Sequence, residues 1–120
     1  MNILIIDDEK SITDALTEFL KEANKVTCFN DPLEAWGHYK DNNCYDVVIM
    51  DFLMPHLRGD ALIEKIFKLN PDQHFIVISG FFTKEFIDIL KRSNAFIKMI
   101  DKPISPDDIN SALETIKKLN

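Results

Sequence analysis

Five polar residues that could carry chemistry each follow an apolar run of strand length. Asp7 and Asp8 follow the first run, Asp51 the third, Ser79 the fourth and Lys102 the fifth. Carboxylates that lie close together repel one another, so a cluster of them needs a cation or takes up a proton. Oxygen ligands of this kind suit Mg²⁺, while the lysine and the serine add groups that can bind a phosphoryl oxygen. Together with a carboxylate nucleophile, these are the groups that phosphoryl transfer onto aspartate requires.

Each of these residues also has a purely structural interpretation. Asp51 could cap the helix that follows it, because aspartate is a favoured N-cap residue. Lys102 could form a salt bridge, Ser79 could cap the end of a strand, and the acidic cluster could be solvated without a metal. Whether the residues act together therefore depends on whether the fold brings them to one place.

The sequence pattern predicts five strands that alternate with five helices. Apolar runs without polar alternation are typical of strands that are covered on both faces of a parallel sheet. Apolar residues three and four apart, with proline near the helix ends, predict the helices. The predicted strands are 2–6, 25–29, 47–50, 75–78 and 96–100, and the predicted helices are 10–23, 32–39, 60–69, 83–91 and one from 106.

Two of these helices give specific packing predictions. In the first, the apolar stripe from Ile12 through Phe19 to Ala23 is expected to face the core. In the second, Trp36 lies at helical spacing from Leu33, which favours a place in the core over a binding role.

The alternation of strands and helices predicts an α/β fold. Such a repeat implies parallel strands, right-handed crossovers and a three-layer sandwich. We predict a flavodoxin-like (βα)5 sandwich with strand order 2-1-3-4-5. Strands one and three are then neighbours, so Asp7, Asp8 and Asp51 converge at the carboxyl edge of the sheet, where Ser79 and Lys102 also arrive. Open α/β sheets bind ligands at this edge.

Composition favours one compact domain over residues 1–120, since 46% of the residues are hydrophobic. The net charge of −6 argues against direct nucleic-acid binding, which needs clustered Lys and Arg. No apolar run is long enough for a membrane span and no signal-peptide pattern opens the chain, so we expect a cytoplasmic protein without membrane contact. Cys28 and Cys44 lack metal-ligand spacing and are expected to be reduced and structural.

Several separated motifs, in order along the whole chain, resemble the receiver domain of two-component response regulators. They are Ile-Leu-Ile-Ile-Asp-Asp-Glu near the start, Asp51 followed by Phe-Leu-Met-Pro-x-x-x-Gly, Ser79-Gly80 and Lys102-Pro103. The resemblance implies that the chain accepts a phosphoryl group from a sensor histidine kinase or a histidine phosphotransfer protein. It also implies that the chain is not an enzyme beyond its own phosphoryl transfer and slow dephosphorylation.

The resemblance further implies a role for each site residue. Asp51 is the phosphoryl acceptor, and Asp7, Asp8, Asp51 and the backbone carbonyl of Leu53 hold Mg²⁺. Ser79 moves toward the phosphoryl group and Lys102 pairs with it. The Lys102–Pro103 peptide bond is expected to be cis. Partner binding is expected to change at helix four and strand five, with phosphorylation-dependent dimerisation as one form of output.

The sequence departs from the family pattern at three points. Gly80 stands where receivers usually have Ala after the Ser/Thr, which predicts a looser loop into the fourth helix. Met99 stands three residues before the lysine, where receivers usually carry the Tyr or Phe that rotates with the Ser/Thr. We also expect no output domain within these 120 residues, so the phosphoryl group could be a signal or the cargo of a relay to a second histidine.

Three other functions compete with this interpretation. A Mg²⁺-dependent aspartyl phosphatase usually has an Asp-x-Asp pattern at the nucleophile, and Leu53 occupies the second position here. A flavodoxin-like cofactor carrier needs a Ser/Thr/Gly-rich phosphate loop after the first strand, which this sequence lacks. His56 could act as an acid or base, but it falls in a loop that we expect to be exposed.

Two further expectations follow from apolar residues near the predicted site. The fourth helix has too many for one buried stripe, so some should form a partner or self-association surface with Met99. In receivers the path of the hydrolytic water lies beside the residues that match Leu53 and Phe81, and neither can orient a water molecule, so dephosphorylation should be slow. The six apolar residues, of which some are expected to be exposed, are Phe81, Phe82, Phe86, Ile87, Ile89 and Leu90.

Overall fold

A computed structural model of the chain describes residues 1–80, 82–91 and 95–119, except for the side chain of Leu90. Within these residues, five strands alternate with five helices, as predicted. The strands are β1 (Asn2–Ile6), β2 (Lys25–Phe29), β3 (Val47–Asp51), β4 (Phe75–Ser79) and β5 (Ile97–Asp101). The helices are α1 (Lys10–Leu20), α2 (Pro32–Asp41), α3 (Gly59–Leu69), α4 (Lys84–Lys91) and α5 (Pro106–Leu119).

The strands form a parallel sheet in the predicted order β2-β1-β3-β4-β5. The side chains of β3 and β4 are buried throughout, because helices cover both faces of the sheet. Buried residues of α1 and α5 pack on one face, and buried residues of α2, α3 and α4 pack on the other. The predicted flavodoxin-like three-layer sandwich is therefore confirmed, and the ends of β1, β3, β4 and β5 share one edge.

Side-chain caps start two helices where the sequence predicts a start. The Asp31 carboxylate accepts a hydrogen bond from the Leu33 N–H at 2.9 Å, and Pro32 is the first residue of α2. The Thr83 hydroxyl accepts a hydrogen bond from the Phe86 N–H at 3.1 Å, so Thr83 caps α4. These caps satisfy backbone donors that a helix leaves unpaired in its first turn.

Two predicted element boundaries are wrong for local reasons. The first helix was expected to reach Ala23, but α1 ends at Leu20, where the Asn24 side chain donates a hydrogen bond to the Leu20 carbonyl at 3.0 Å. The fifth strand was expected at 96–100, but β5 covers Ile97–Asp101. The N–H of Phe96 donates to Nδ1 of His74 at 3.0 Å rather than to a neighbouring strand.

The predicted apolar stripe of α1 faces the core only in part. Leu16 and Leu20 are buried, but Phe19 is 42% exposed and Ala23 is also exposed. Phe19 lines an apolar groove of about 390 Å³ between α1 and the segment that joins β5 to α5. The groove leaves one side of the stripe open to solvent, which is why the 3.6-residue periodicity overstates burial here. Its lining residues are Ile12, Ala15, Leu16, Phe19, Lys102, Pro103, Ile104, Pro106 and Ile109.

The packing prediction for Trp36 is also only partly right. Trp36 is half-buried against the core, whereas Leu33 is 50% exposed. The ammonium groups of Lys40 and Lys65 lie 5.9 Å and 5.7 Å from the centroid of the Trp36 ring. The outer part of the indole is therefore covered by two cations from α2 and α3 rather than by apolar core.

Two predictions from composition can be compared with the structure. Cys28 and Cys44 are free, as expected, and both are exposed. Among the residues that the structure describes, no helix combines the length and the apolar character needed to cross a bilayer.

The predicted apolar surface around α4 is less exposed than expected. Phe86 is fully buried, while Phe82, Ile87 and Ile89 are half-buried. Met99 on β5 is 38% exposed. Phe81 and the side chain of Leu90, which also belong to the predicted surface, lie outside the described residues.

Replacing Gly59 by Ala should destabilise the fold by about 1–3 kcal/mol, because overpacking against fixed atoms costs that much. A Cβ at Gly59 would lie 2.9 Å from the Cα of Phe52 and 3.1 Å from the Asp51 carbonyl oxygen, both of which are backbone atoms. Gly37 in α2 is a matched control, since a Cβ there meets nothing within 4 Å. Gly37→Ala should instead stabilise the helix by about 0.5–1 kcal/mol. Chemical denaturation of both variants measures the difference, and equal effects would contradict the close approach.

Candidate functional site

Asp51 is the last residue of the buried strand β3 and is only 4% exposed. Its Oδ1 accepts a hydrogen bond from the Leu53 N–H at 3.3 Å, and its Oδ2 accepts one from the Lys102 ammonium at 3.2 Å. The interpretation of Asp51 as a helix cap is wrong, because Arg58 occupies the N-cap position of α3. The carboxylate is therefore held at the edge of the sheet without serving the next helix.

Asp7 and Asp8 follow β1 directly and meet Asp51 at the same edge. Each of the three carboxylates offers an oxygen atom, and these oxygens lie within 4.8 Å of one another. Asp7 is 2% exposed and its Oδ1 accepts a hydrogen bond from the Glu9 N–H at 2.9 Å, whereas Asp8 is exposed. The structure thus brings together the three carboxylates that the sequence singles out, with one of them open to solvent.

Burial makes this acidic cluster costly to ionise. Burial raises the pKa of Asp7 to about 6, against the opposing effect of the hydrogen bond from Glu9, and the charge of Asp51 adds to the increase. Burial also raises the pKa of Asp51, although the charge and the hydrogen bond of Lys102 oppose it. A divalent cation would remove this cost, and three carboxylates suit Mg²⁺ because it takes oxygen ligands and keeps several waters.

Lys102 follows β5 and reaches across to β3. Its side chain is one-third exposed, and its Nζ lies 3.2 Å from Oδ2 of Asp51 and 3.9 Å from Oε1 of Glu9. Burial lowers the pKa of Lys102, but the nearby charges of Asp51, Asp7 and Glu9 outweigh burial and leave it above its ordinary value. The ammonium is therefore charged. The peptide bond between Lys102 and Pro103 is cis, as expected.

Ser79 ends β4, the strand that lies between β3 and β5. It is 1% exposed, and its carbonyl oxygen accepts a hydrogen bond from the Lys102 N–H at 3.2 Å. Ser79 pairs in register with Asp101, the residue before Lys102. All five predicted site residues therefore lie at the carboxyl edge of the sheet. The fourth predicted metal ligand is the backbone carbonyl of Leu53, the residue two positions after Asp51, which is 51% exposed.

Two residues that the sequence did not single out hold the segment carrying Asp7 and Asp8. The Asn30 side chain donates hydrogen bonds to the Asp7 carbonyl at 2.8 Å and to the Thr13 hydroxyl at 3.0 Å. Thr13 is buried, and its hydroxyl donates to the Lys10 carbonyl at 3.0 Å. These bonds tie the segment to β2 and to the first turn of α1. No periodicity or motif signals them, because they join residues of three separate elements.

Comparisons with known proteins agree with the geometry of this site. A family model described as "Response regulator receiver domain" matches residues 3–114. Among solved structures, a response regulator receiver domain protein from Clostridium thermocellum matches with a TM-score of 0.86 and 30% sequence identity, over 98% of this chain and 97% of that chain. The match covers every element that contributes to the site.

Curated relatives contain additional sequence. The response regulator SaeR of Staphylococcus aureus is 30% identical over 122 residues, which is 98% of this chain and 52% of the relative. The hydrogenase transcriptional regulatory protein HoxA of Bradyrhizobium diazoefficiens is 28% identical over 116 residues, which is 97% of this chain and 23% of the relative. The chain thus spans about half or less of the length of these relatives.

Proposed function

The chain belongs to the response regulator receiver domain family, and from this premise we propose that Asp51 accepts a phosphoryl group from a phosphohistidine. The donor is a sensor histidine kinase or a histidine phosphotransfer protein. One observation carries the proposal: the Asp51 carboxylate lies both within the acidic cluster with Asp7 and Asp8 and 3.2 Å from the Lys102 ammonium. A nucleophilic carboxylate, a set of metal ligands and a fixed cation are the parts that the transfer requires.

In the proposed reaction, an oxygen of the Asp51 carboxylate attacks phosphorus and an O–P bond forms. The P–N bond of the phosphohistidine breaks, and its electron pair stays on the imidazole nitrogen, which takes up a proton. Lys102 donates to a phosphoryl oxygen, which favours a position in line with the leaving nitrogen. Ser79, at the end of the neighbouring strand, offers its hydroxyl to a second phosphoryl oxygen.

We propose that Asp7, Asp8, Asp51 and the backbone carbonyl of Leu53 hold Mg²⁺. The support is the donor set: carboxylate oxygens within 4.8 Å of one another, with the pKa of both Asp7 and Asp51 raised by burial. When bound, Mg²⁺ neutralises carboxylate charge that would otherwise repel an incoming phosphate. Asp8 is exposed and Asp7 is buried, so the cluster would be open to an ion from solvent through Asp8.

Binding of beryllium trifluoride, which mimics a phosphoryl group on aspartate, tests this function directly. A bound ¹⁹F resonance should appear for the wild-type protein with Mg²⁺ and should be absent in excess chelator. The Asp51→Asn variant should show no bound resonance under either condition. Binding by that variant, or no binding by the wild-type protein, would contradict the assignment.

We propose that the chain acts as a receiver domain over residues 1–120 and not as an enzyme on other substrates. Leu53 stands where aspartyl phosphatases usually carry a second aspartate, and its side chain is 51% exposed beside Asp51. We further propose that the chain acts in the cytoplasm, together with the phosphohistidine donors that the proposal requires. Relay of the phosphoryl group to a second histidine is the alternative use of the same chemistry.

We propose that modification of Asp51 changes the affinity of α4 and β5 for a second copy of this chain. Met99 is 38% exposed, and the half-buried Ile87 and Ile89 lie on the adjoining helix. An apolar centre with charges of both signs around it can complement itself across a two-fold axis. The charged residues of these two elements are Lys84, Glu85, Asp88, Lys91, Lys98 and Asp101.

Replacing Met99 by Glu should weaken this self-association about tenfold, which corresponds to about 1.4 kcal/mol. At the centre of a two-fold interface, the glutamate of one copy would lie opposite the same glutamate of the other copy, and the two like charges would repel each other. Sedimentation velocity in beryllium trifluoride and Mg²⁺ measures the effect. Leu33→Glu is the matched control, because Leu33 is also an exposed apolar residue but lies on α2. Equal behaviour of the two variants, or a wild-type protein that stays monomeric with the mimic bound, would contradict the proposed surface.

Replacing Leu53 by Asn should shorten the lifetime of the phosphoryl group about tenfold. Hydrolysis needs a water molecule in line with the Asp51–phosphorus bond, and leucine offers it no hydrogen bond. One positioning interaction of about 1.4 kcal/mol corresponds to a factor of ten in rate. The measurement is the decay of phosphorylated protein by intact mass at saturating Mg²⁺. The second position of this prediction, Phe81, lies outside the described residues.

Leu69→Asn is the control for the lifetime prediction. Leu69 is 49% exposed, close to the 51% of Leu53, but it lies at the far end of α3 from the carboxyl edge. Its replacement should leave the decay rate unchanged. If Leu53→Asn is folded and loses phosphate no faster than this control, Leu53 does not set the lifetime.

A further inference from the structure

Phe52, the residue after Asp51, is fixed at two backbone positions. Its N–H donates a hydrogen bond to the Ile78 carbonyl at 3.1 Å, and its carbonyl accepts one from the Gly59 N–H at 2.7 Å. Its side chain is fully buried in the core under α3 and α4. A movement of the Asp51 backbone therefore has to move the Phe52 ring, since the ring has no solvent space to absorb it.

The Phe52 ring contacts the start of α4. Its centroid lies 4.6 Å from that of Phe86 and 5.9 Å from that of Phe82. Phe82 and Phe86 stack on each other with centroids 5.9 Å apart and an interplanar angle of 9°. Phe86 is fully buried, and its N–H is the donor that Thr83 caps. The three rings thus join the residue after Asp51 to the capped first turn of α4.

A charged side chain also contacts the Phe52 ring. The guanidinium carbon of Arg58 lies 5.4 Å from the centroid of the Phe52 ring. Arg58 also forms two hydrogen bonds to Asp60, at 3.0 Å and 2.6 Å. These bonds raise the pKa of Arg58, and the charge of Glu85 on α4 contributes to the increase. Arg58 therefore covers the Phe52 ring from the start of α3.

The usual position for a switch aromatic is filled differently in this chain. Receivers usually carry Tyr or Phe at the position where this sequence has Met99. In this chain, β5 contains no aromatic residue. Met99 is 38% exposed and pairs in register with Val77, two residues before Ser79. The aromatic contacts that link the site to α4 instead start at Phe52.

We propose that the contacts of Phe52 with Phe86 and Phe82 couple the state of Asp51 to the position of α4. This inference rests on the proposed function and extends it to its regulation. A phosphoryl group on Asp51 enlarges the carboxylate and adds charge, so the backbone at Asp51 and Phe52 has to adjust. The packed rings pass that adjustment to the first turn of α4, because packed interiors rearrange between discrete states and do not deform continuously.

Hydrogen exchange of α4 with and without beryllium trifluoride tests the coupling. In the wild-type protein, the mimic should change the exchange rate of α4 amides on the order of tenfold, within the usual range of allosteric coupling. Phe52→Leu should reduce that change to less than about twofold while the bound ¹⁹F resonance is retained. Phe86→Leu, the change on the α4 side, should reduce the exchange response to the same extent. The double variant should lose no more of that response than either single variant, because both substitutions remove the same contact between Phe52 and Phe86.

Phe67→Leu is the matched control. Phe67 packs against the same core cluster, with its ring 5.4 Å from that of Phe75, but it contacts none of the three rings above. The side-chain change is identical, and Phe67 is partly buried where Phe52 is fully buried, so this control reports the effect of lost packing elsewhere in the same core. This control should keep the wild-type response of α4.

The outcomes separate this inference from the proposed function. A wild-type protein that does not bind the mimic overturns both. Wild-type binding without a response in α4, or a full response in Phe52→Leu and Phe86→Leu, overturns the coupling and leaves the function standing. If Phe52→Leu fails to fold or to bind the mimic, Phe86→Leu decides: loss of the response supports the coupling, and a full response overturns it.

Discussion

Replacing Asp51 by Asn should abolish phosphoryl uptake from acetyl phosphate, with a loss on the order of 10⁴-fold or more. The amide has nearly the same shape as the carboxylate but no anionic oxygen to attack phosphorus. The fold should survive, since Lys102 can still donate to the amide oxygen that replaces Oδ2. Intact mass measured after incubation with acetyl phosphate and Mg²⁺ reports the phosphoryl group directly.

Removal of divalent cations should have a comparable effect on the wild-type protein. Asp7, Asp8 and Asp51 place their oxygens within 4.8 Å of one another, and their charge repels a phosphate unless a cation neutralises it. Asp101→Asn is the control, because Asp101 is an exposed carboxylate next to Lys102 on the same edge of the sheet. The Asp101→Asn variant should gain the phosphoryl group as the wild-type protein does with Mg²⁺. Uptake by Asp51→Asn, or by the wild-type protein in excess chelator, would show that the acceptor or the metal requirement is misassigned.

The arrangement of the site could be predicted from the sequence because it follows from topology. Apolar runs located the strands to within one or two residues, and the βα alternation gave their order. In a parallel sheet, residues after neighbouring strands meet at one edge. The proximity of Asp7, Asp8, Asp51 and Lys102 therefore needed no knowledge of side-chain contacts.

What the sequence did not predict depends on contacts between elements. Phe19 fits the apolar stripe of α1 but lines an open groove, because periodicity identifies a face and not what covers it. Asn30 lies far from Asp7 in sequence and meets it only because β2 pairs with β1. His56 adopts a φ of 71°, with the Leu57 N–H bonded to the Pro55 carbonyl at 2.8 Å. This tight turn uses a residue type that carries no strong turn signal.

The same limit applies to the aromatic contacts. Phe52, Phe82 and Phe86 are ordinary apolar residues in the sequence, and the prediction did not decide which apolar residues near the fourth helix are buried. The structure buries Phe86 against Phe52 because α4 packs beside the segment that follows β3. Met99, by contrast, departs from the family pattern in the sequence itself, and the structure leaves it 38% exposed.

Without divalent cations, replacing Asp7 by Asn should stabilise the protein increasingly as pH rises. The pKa of Asp7 is about 6 in the native protein and 3.8 for an ordinary aspartate. The native state therefore holds this proton more tightly than the unfolded chain. The stability that results is fully present below about pH 3.8 and is lost as pH rises through about 6. Because a tenfold change in proton affinity corresponds to about 1.4 kcal/mol, the variant should gain up to about 3 kcal/mol over the wild-type protein at pH 8.

Chemical denaturation at pH 4 and at pH 8, each with and without Mg²⁺, measures the difference in stability between Asp7→Asn and the wild-type protein. Mg²⁺ should reduce the advantage of the variant. A ligand at a hundred times its Kd stabilises the native state by about 2.7 kcal/mol, and the variant lacks one carboxylate to bind it. Asp14→Asn is the control, since Asp14 is 64% exposed on α1 and loses the same charge outside the cluster. An advantage of Asp7→Asn that is equal at both pH values would show that Asp7 is not held protonated by burial. Equal stabilisation of the wild-type protein and Asp7→Asn by Mg²⁺ would show that Asp7 does not hold the ion.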